Sequence, residues 1–158
     1  MSHTFTQADK DYMRIALEEA ARAAEDGDVP VGAILVRNTT GEIVARGRNT
    51  REVMQTALGH AEINAISEAC AALGNWRLED CSLYVTLEPC PMCAGAILHA
   101  RIPRVVCGAM DPVAGAMGSV WAIHRHPVEN KHTGLETGCL EVECRQILQE
   151  FFQSRRDN

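Results

Sequence analysis

The sequence predicts an α/β protein with three layers, α/β/α, built on a central mixed five-stranded sheet. Three observations lead there. Short apolar strand candidates alternate with helical stretches of crossover length. The first two strand candidates are separated by the turn sequence Asn38-Thr39-Thr40-Gly41 and so pair antiparallel, which makes the sheet mixed. The chain has 158 residues, 46% hydrophobic and 23% charged, which suits one domain over 1–158 with a core that needs no disulfide staples.

The elements follow in order. Thr6 can cap a helix from Gln7 to Asp26, with Asp9 three residues on in a capping-box arrangement. Met13, Ala16, Leu17, Ala20 and Ala24 form its apolar face, and Gly27 is placed to end it. Val31 to Val36 is a buried-strand run and Glu42 to Asn49 its hairpin partner. Thr50 to Gly59 has no period and reads as a loop. His60 to Leu73 reads as a helix stopped by Gly74. Ser82 to Leu87 concentrates β-branched and aromatic residues and is the strongest strand signal. Pro91 sits where the first turn of a helix accepts proline, and Met92 to Ala100 continues that helix. Ile102-Pro103 breaks it before a short strand, Arg104 to Cys107. Ala109 to Ser119 is glycine-rich loop, Val120 to Arg125 a helical turn, His126 to Lys131 loop again, and Thr133 to Thr137 an edge strand. Leu140 to Arg155 is a last helix with Val142, Ile147, Leu148, Phe151 and Phe152 as its apolar face.

Bulk properties exclude several classes. No apolar run approaches membrane-spanning length. The polar start, with Asp9 and Asp11 close behind, resembles neither a secretory nor a transit peptide, so the expected location is cytoplasmic. Seven cysteines, an odd number without a signal, point to reduced thiols; two have metal spacing and the other five read as small buried hydrophobes. The net charge of −6 weighs against indiscriminate nucleic-acid binding, which draws on a positive field.

The chemistry is concentrated in His60-Ala61-Glu62 and Pro89-Cys90-Pro91-Met92-Cys93. One histidine and two cysteines are three soft ligands for Zn2+, and three protein ligands with a fourth position for water make a catalytic site, where a structural site closes with four. Cys90 and Cys93 open a helix directly after a strand, where backbone N–H groups and the helix dipole favour thiolates. Zinc brings the pKa of a bound water to about 7, and Glu62 is the candidate to shuttle its protons. One geometric obstacle stands in the way: residues i and i+2 do not share a helix face. A lone Cys-x-x-Cys is equally compatible with a redox pair, or with a structural zinc site completed by His99, Cys81 or Cys107. The conjunction of His-x-Glu with Pro-Cys-x-x-Cys is the more specific signal, and it is the signature of zinc nucleobase deaminases.

On these residues the chain resembles the cytidine deaminase superfamily, most closely its bacterial tRNA adenosine deaminases. The resemblance runs from about Val29 onward. It rests on Val29-Pro30-Val31-Gly32-Ala33, Gly47-Arg48-Asn49, His60-Ala61-Glu62, the long stretch Leu83 to Ala96, Arg101 to Val106 and Gly115 to Ser119. It departs at Leu58-Gly59, where the family usually has Thr-Ala, and at Asp111-Pro112-Val113-Ala114-Gly115, which lacks the basic residue often present in this RNA-facing loop. The resemblance implies hydrolytic deamination of adenosine to inosine at the wobble position of tRNA. His60, Cys90 and Cys93 would hold one zinc per subunit, Glu62 would act in catalysis and Asn49 would bind the target nucleoside. Backbone amides near Ala61 and between Pro89 and Cys90 would line the pocket. It further implies a homodimer that binds a tRNA anticodon stem-loop, whose unpaired base is splayed into the pocket. A free nucleobase or nucleoside, of guanine or cytidine type, is the alternative substrate, and a zinc-stabilised binding module the non-enzymatic one; an intact Glu62 speaks for the enzyme.

Overall fold

A computed structural model describes residues 4–127 and 132–157. The elements are α1 (Gln7–Glu25), β1 (Gly32–Arg37), β2 (Ile43–Arg48), α2 (Arg51–Met54), α3 (Ala61–Leu73), β3 (Cys81–Leu87), α4 (Pro91–His99), β4 (Arg104–Ala109), a 3-10 turn (Ile123–Arg125), β5 (Gly134–Thr137) and α5 (Glu141–Arg156). The five strands form one sheet in the order β2-β1-β3-β4-β5. β1 pairs antiparallel with both β2 and β3, whereas β3–β4 and β4–β5 are parallel. The mixed sheet and the edge position of β5 agree with the sequence-based expectation.

Alternation along the central strands sorts the core into two faces. Ala33 and Leu35 of β1, Leu83 and Val85 of β3 and Val105 of β4 pack on one side with Ala61, Ala65 and Ala69 of α3 and Ala94 and Ile97 of α4. Ile34 and Val36, Tyr84 and Val106 point to the other side, against Met13 and Ala16 of α1 and Cys144 of α5. Two glycines let the helices approach the hairpin. A Cβ on Gly32 would lie 1.8 Å from the Ala16 carbonyl oxygen, and one on Gly47 would lie 2.3 Å from that of Ala61. No described helix is long and apolar enough to cross a membrane.

Capping explains where α1 starts. The Asp9 amide donates to Thr6 Oγ1 (3.0 Å) and the Thr6 amide to Asp9 Oδ2 (3.2 Å), the predicted reciprocal box. Asp9 carries a second load that the sequence did not announce. Its buried carboxylate accepts from Tyr84 Oη (2.7 Å) and from two Arg104 nitrogens (3.0 and 3.1 Å), and Arg104 also donates to Glu136. Burial opposes ionisation of Asp9, but these donors outweigh it and hold its pKa at about 2. The cluster ties α1, β3, β4 and β5 together at the start of β4.

Three expectations need correction. Thr50 to Gly59 is not all loop: it contains α2, held by Asp28, whose buried carboxylate accepts from the Glu52 (2.9 Å) and Val53 (3.1 Å) amides. That anchor is distant in sequence and leaves no local period. The apolar face of α5 also differs. Val142 and Phe152 are exposed, at 69% and 45%, while Cys144 is buried, because contact with Val106 and Ala109 of β4 sets the rotation of α5 about its axis. The strand predicted to end at Cys107 runs on to Ala109. Part of the predicted loop from His126 to Lys131 lies outside the described residues.

Candidate metal centre and substrate cavity

His60 and Cys90 occupy matching positions. Each is the N-cap of its helix in extended backbone, His60 at φ −94°, ψ 146° before α3 and Cys90 at φ −73°, ψ 175° before α4. This removes the helix-face obstacle, since His60 is not yet helical and Glu62 is only the second residue of the first turn. Pro91 follows Cys90 at the first helical position, where its missing N–H costs nothing. Cys93 then lies in the first turn of α4 and points back to the same point.

His60 Nδ1 lies 3.6 Å from Cys90 Sγ and 3.5 Å from Cys93 Sγ. A tetrahedral zinc with bonds of about 2.3 Å to sulfur and about 2.0 Å to nitrogen requires a separation of about 3.5 Å, so the three side chains fit the ion. Among the described residues this is the one group of His, Cys, Asp or Glu with metal-binding geometry. The alternative fourth ligands do not join it: Cys81 and Cys107 are buried in the core, and His99 lies at the far end of α4.

The electrostatics of the group are those of crowded acids. A hydrogen bond from Cys93 holds the Cys90 thiol down to about 4, with further help from His60. The same contact, with burial and the Glu62 charge, pushes Cys93 far up. A coordinated cation reverses that second shift, because a ligating thiol is deprotonated outright. Glu62 is 4% exposed, and burial pushes its carboxyl up to about 7. Four of the remaining cysteines are buried core residues and Cys70 is partly buried beside the core; burial raises Cys139 to about 11 and Cys144 to about 12.

A cavity of about 190 Å³ opens beside the group, with Asn49, His60, Glu62, Glu88, Cys90 and Asp111 in its wall. It is smaller than the clefts of roughly 300–1,000 Å³ that enclose drug-sized ligands, as suits a single inserted base. It lies at the carboxyl end of β3, where ligands bind in open α/β sheets. The Ala61 amide donates to Asn49 Oδ1 (2.9 Å), so that amide is engaged by a side chain, and the donor end of Asn49 is what remains to offer the cavity. Sequence reasoning had not reached Arg51 or Glu88 as wall residues, whereas Asp111 and Ala114 belong to the segment the resemblance marks as facing RNA. The loops that bring them are fixed by distant contacts, and only the glycines gave a hint. A Cβ on Gly59 would lie 2.7 Å from the Arg51 nitrogen, which accounts for the glycine at the Leu58-Gly59 departure.

Residues 6–109 match the family described as the cytidine and deoxycytidylate deaminase zinc-binding region. The chain belongs to this deaminase family. It is 49% identical over 148 residues to the tRNA-specific adenosine deaminase of Bacillus subtilis (strain 168), covering 94% of this chain and 91% of that one. It is 46% identical to the chloroplastic tRNA(adenine(34)) deaminase of Arabidopsis thaliana over 93% of this chain, which spans only 12% of that protein. Among solved structures, one from work on A-to-I editing by tRNA:A34 deaminases at the wobble position superposes with a TM-score of 0.83, at 43% identity, over 87% of this chain and 99% of that one. A guanine deaminase from Nitrosomonas europaea has the same fold (TM-score 0.78, 24% identity, 96% and 85% covered).

Proposed function

We propose that this zinc-binding deaminase converts adenosine to inosine at the wobble position of tRNA. The observation that carries the chemistry is the His60, Cys90 and Cys93 group at zinc-ligand spacing, with buried Glu62 beside it in the wall of a base-sized cavity. The substrate comes from the likeness to tRNA-specific relatives along nearly the whole chain.

His60 Nδ1 and the Cys90 and Cys93 sulfurs would hold one zinc per subunit, and the ion would supply Lewis acidity that lowers the pKa of water to about 7. Glu62 accepts one proton from the attacking water and delivers it to the adenine ring nitrogen as oxygen bonds to C6; it then takes the remaining proton of that hydroxyl and passes it to the amine, which leaves as ammonia as the C6 carbonyl forms. Adenosine and water become inosine and ammonia. Asn49, fixed by the Ala61 amide, presents its side-chain nitrogen to the nucleoside. The cavity walls exclude bulk water, which strengthens each of these hydrogen bonds.

The anticodon loop leaves the target base unpaired, so inserting it costs less than opening a duplex. The expected setting is cytoplasmic and the expected assembly a homodimer. Exposed Val53, Met54 and Leu58 on one rim segment, and Val113 and Trp121 on the other, supply apolar surface for that partner.

Incubation of the zinc-loaded protein with an anticodon stem-loop and, separately, with a panel of free bases and nucleosides tests the reading. Inosine in the stem-loop is the expected product. Turnover of a free base alone overturns the tRNA assignment and favours the guanine-type alternative, and absence of any turnover favours the binding module.

A further inference from the structure

Glu88 is the cavity residue that the deamination chemistry leaves without a task. It follows β3 directly, two residues before Cys90, and is 3% exposed. Its Oε1 accepts from the Asp111 amide (3.0 Å) and from the Ser119 hydroxyl. Its Oε2 accepts from the amides of Met117 (2.9 Å) and Ser119 (3.0 Å). These four donors all come from one segment, 111–119, which has no helix or strand of its own.

The segment is moulded around the carboxylate. A Cβ on Gly115 would lie 2.3 Å from Glu88 Cδ and Oε1, so only glycine passes over the acid at that distance. Asp111 folds the segment's start by accepting from the Val113 and Ala114 amides (3.0 and 3.2 Å). The Ala116 amide donates to the Pro89 carbonyl (2.8 Å), one residue before the ligand Cys90. Asp111 and Ala114 form cavity wall, as Glu88 does. One buried side chain thus joins the strand that delivers a metal ligand to the loop that faces the substrate.

We propose that Glu88 is a positioning residue for substrate binding, a template that holds segment 111–119 as the cavity rim in fixed register with the Cys90 end of the metal centre. The inference rests on the deaminase reading above. An irregular segment of this kind loses backbone freedom only where bonds hold it, and its donors would be left unpaired and buried if the acceptor were removed.

Glu88→Gln keeps the volume and replaces one acceptor oxygen with an NH2 group facing donors. Zinc content per chain should match the wild type, while KM for the anticodon stem-loop rises about tenfold or more and kcat falls by less. Gly115→Ala displaces the same segment from its own side and should give the same KM-weighted loss. Ser119→Ala removes part of the contact set and should shift KM in the same direction by less. Folded, zinc-loaded Glu88→Gln and Gly115→Ala enzymes with wild-type KM and kcat would overturn the proposal. So would a lower melting temperature with unchanged kinetics per zinc-loaded chain, or loss of zinc from Glu88→Gln. If both larger changes prevent folding, an unchanged KM in Ser119→Ala overturns it. If the wild type acts on a free base and not on the stem-loop, the substrate reading fails separately, and the same variants measured with that base still decide the role of Glu88.

Discussion

Two buried polar clusters near opposite ends of the sheet solve the problem of burying charge in opposite ways. At the start of β4, Arg104 sits between Asp9 and Glu136 with the Tyr84 hydroxyl completing the set, so acids face a cation and every contact lowers the cost of burial. Beyond the end of β3, two thiols and a carboxyl crowd together, and in addition to burial two of them raise the pKa of a neighbour: Cys90 and Glu62 raise Cys93, and Cys90 raises Glu62. The first cluster sets its two acids against a cation supplied by the chain itself and serves stability. The second is reconciled by a divalent cation from outside, and serves chemistry.

That contrast predicts which substitutions cost function and which cost folding. The largest effect belongs to Cys90→Ala, which should lose zinc and all turnover together; metal analysis showing wild-type zinc would break the ligand assignment. Glu62→Ala should keep zinc and lose about 10²–10⁴-fold in kcat, the range of a general acid–base group; near-normal kcat in a zinc-loaded sample would end its proton-shuttle role. Arg104→Met should do the reverse. Chemical denaturation should show a loss of about 3 kcal/mol, at the low end for one partner of a buried pair because a third of the Arg104 side chain is exposed. Its kcat and KM per folded molecule should stay at wild-type values, and a kinetic defect would blur the division drawn here.

Acid sharpens the same comparison. The folded-state pKa of Asp9 is about 2 against an ordinary 3.8, so its contribution is fully present above the unfolded value and is lost as pH falls from about 4 through about 2. The amount is on the order of 2 kcal/mol, and urea melts of the wild type and Asp9→Asn across that window should converge. The smallest effect is expected for Asn49→Ala. It should lower kcat/KM by about 1–2 kcal/mol, one lost hydrogen bond to substrate plus an unpaired Ala61 amide, with zinc content unchanged.

Much of this architecture was legible before any coordinates. The Thr6–Asp9 box, the hairpin turn and the β-branched run at Leu83 to Leu87 are local signals, and each formed where its residues indicated. The candidate metal group was legible for a related reason: Cys90 and Cys93 are held within about one helical turn, so their spacing is itself geometry. Asp28, Glu88 and Arg104 were opaque because their partners lie twenty or more residues away, and a lone acid or arginine carries no mark of the amide or carboxylate it will meet. Val142 and Phe152 misled for a subtler reason. Their helical spacing is real, but the rotation of α5 about its axis is set by contact with β4.

By itself the sequence determined the layered fold and marked the candidate ligands and the acid proposed to accompany them, because these follow from short-range spacing and side-chain chemistry. Only the tertiary structure decided that His60 and Cys90 are both N-caps meeting at zinc distance, and that Glu88 and Asp28 anchor the two rims of the cavity. Those outcomes depend on how strands and helices pack at long range, where hydrogen bonds are made between segments that no local pattern connects.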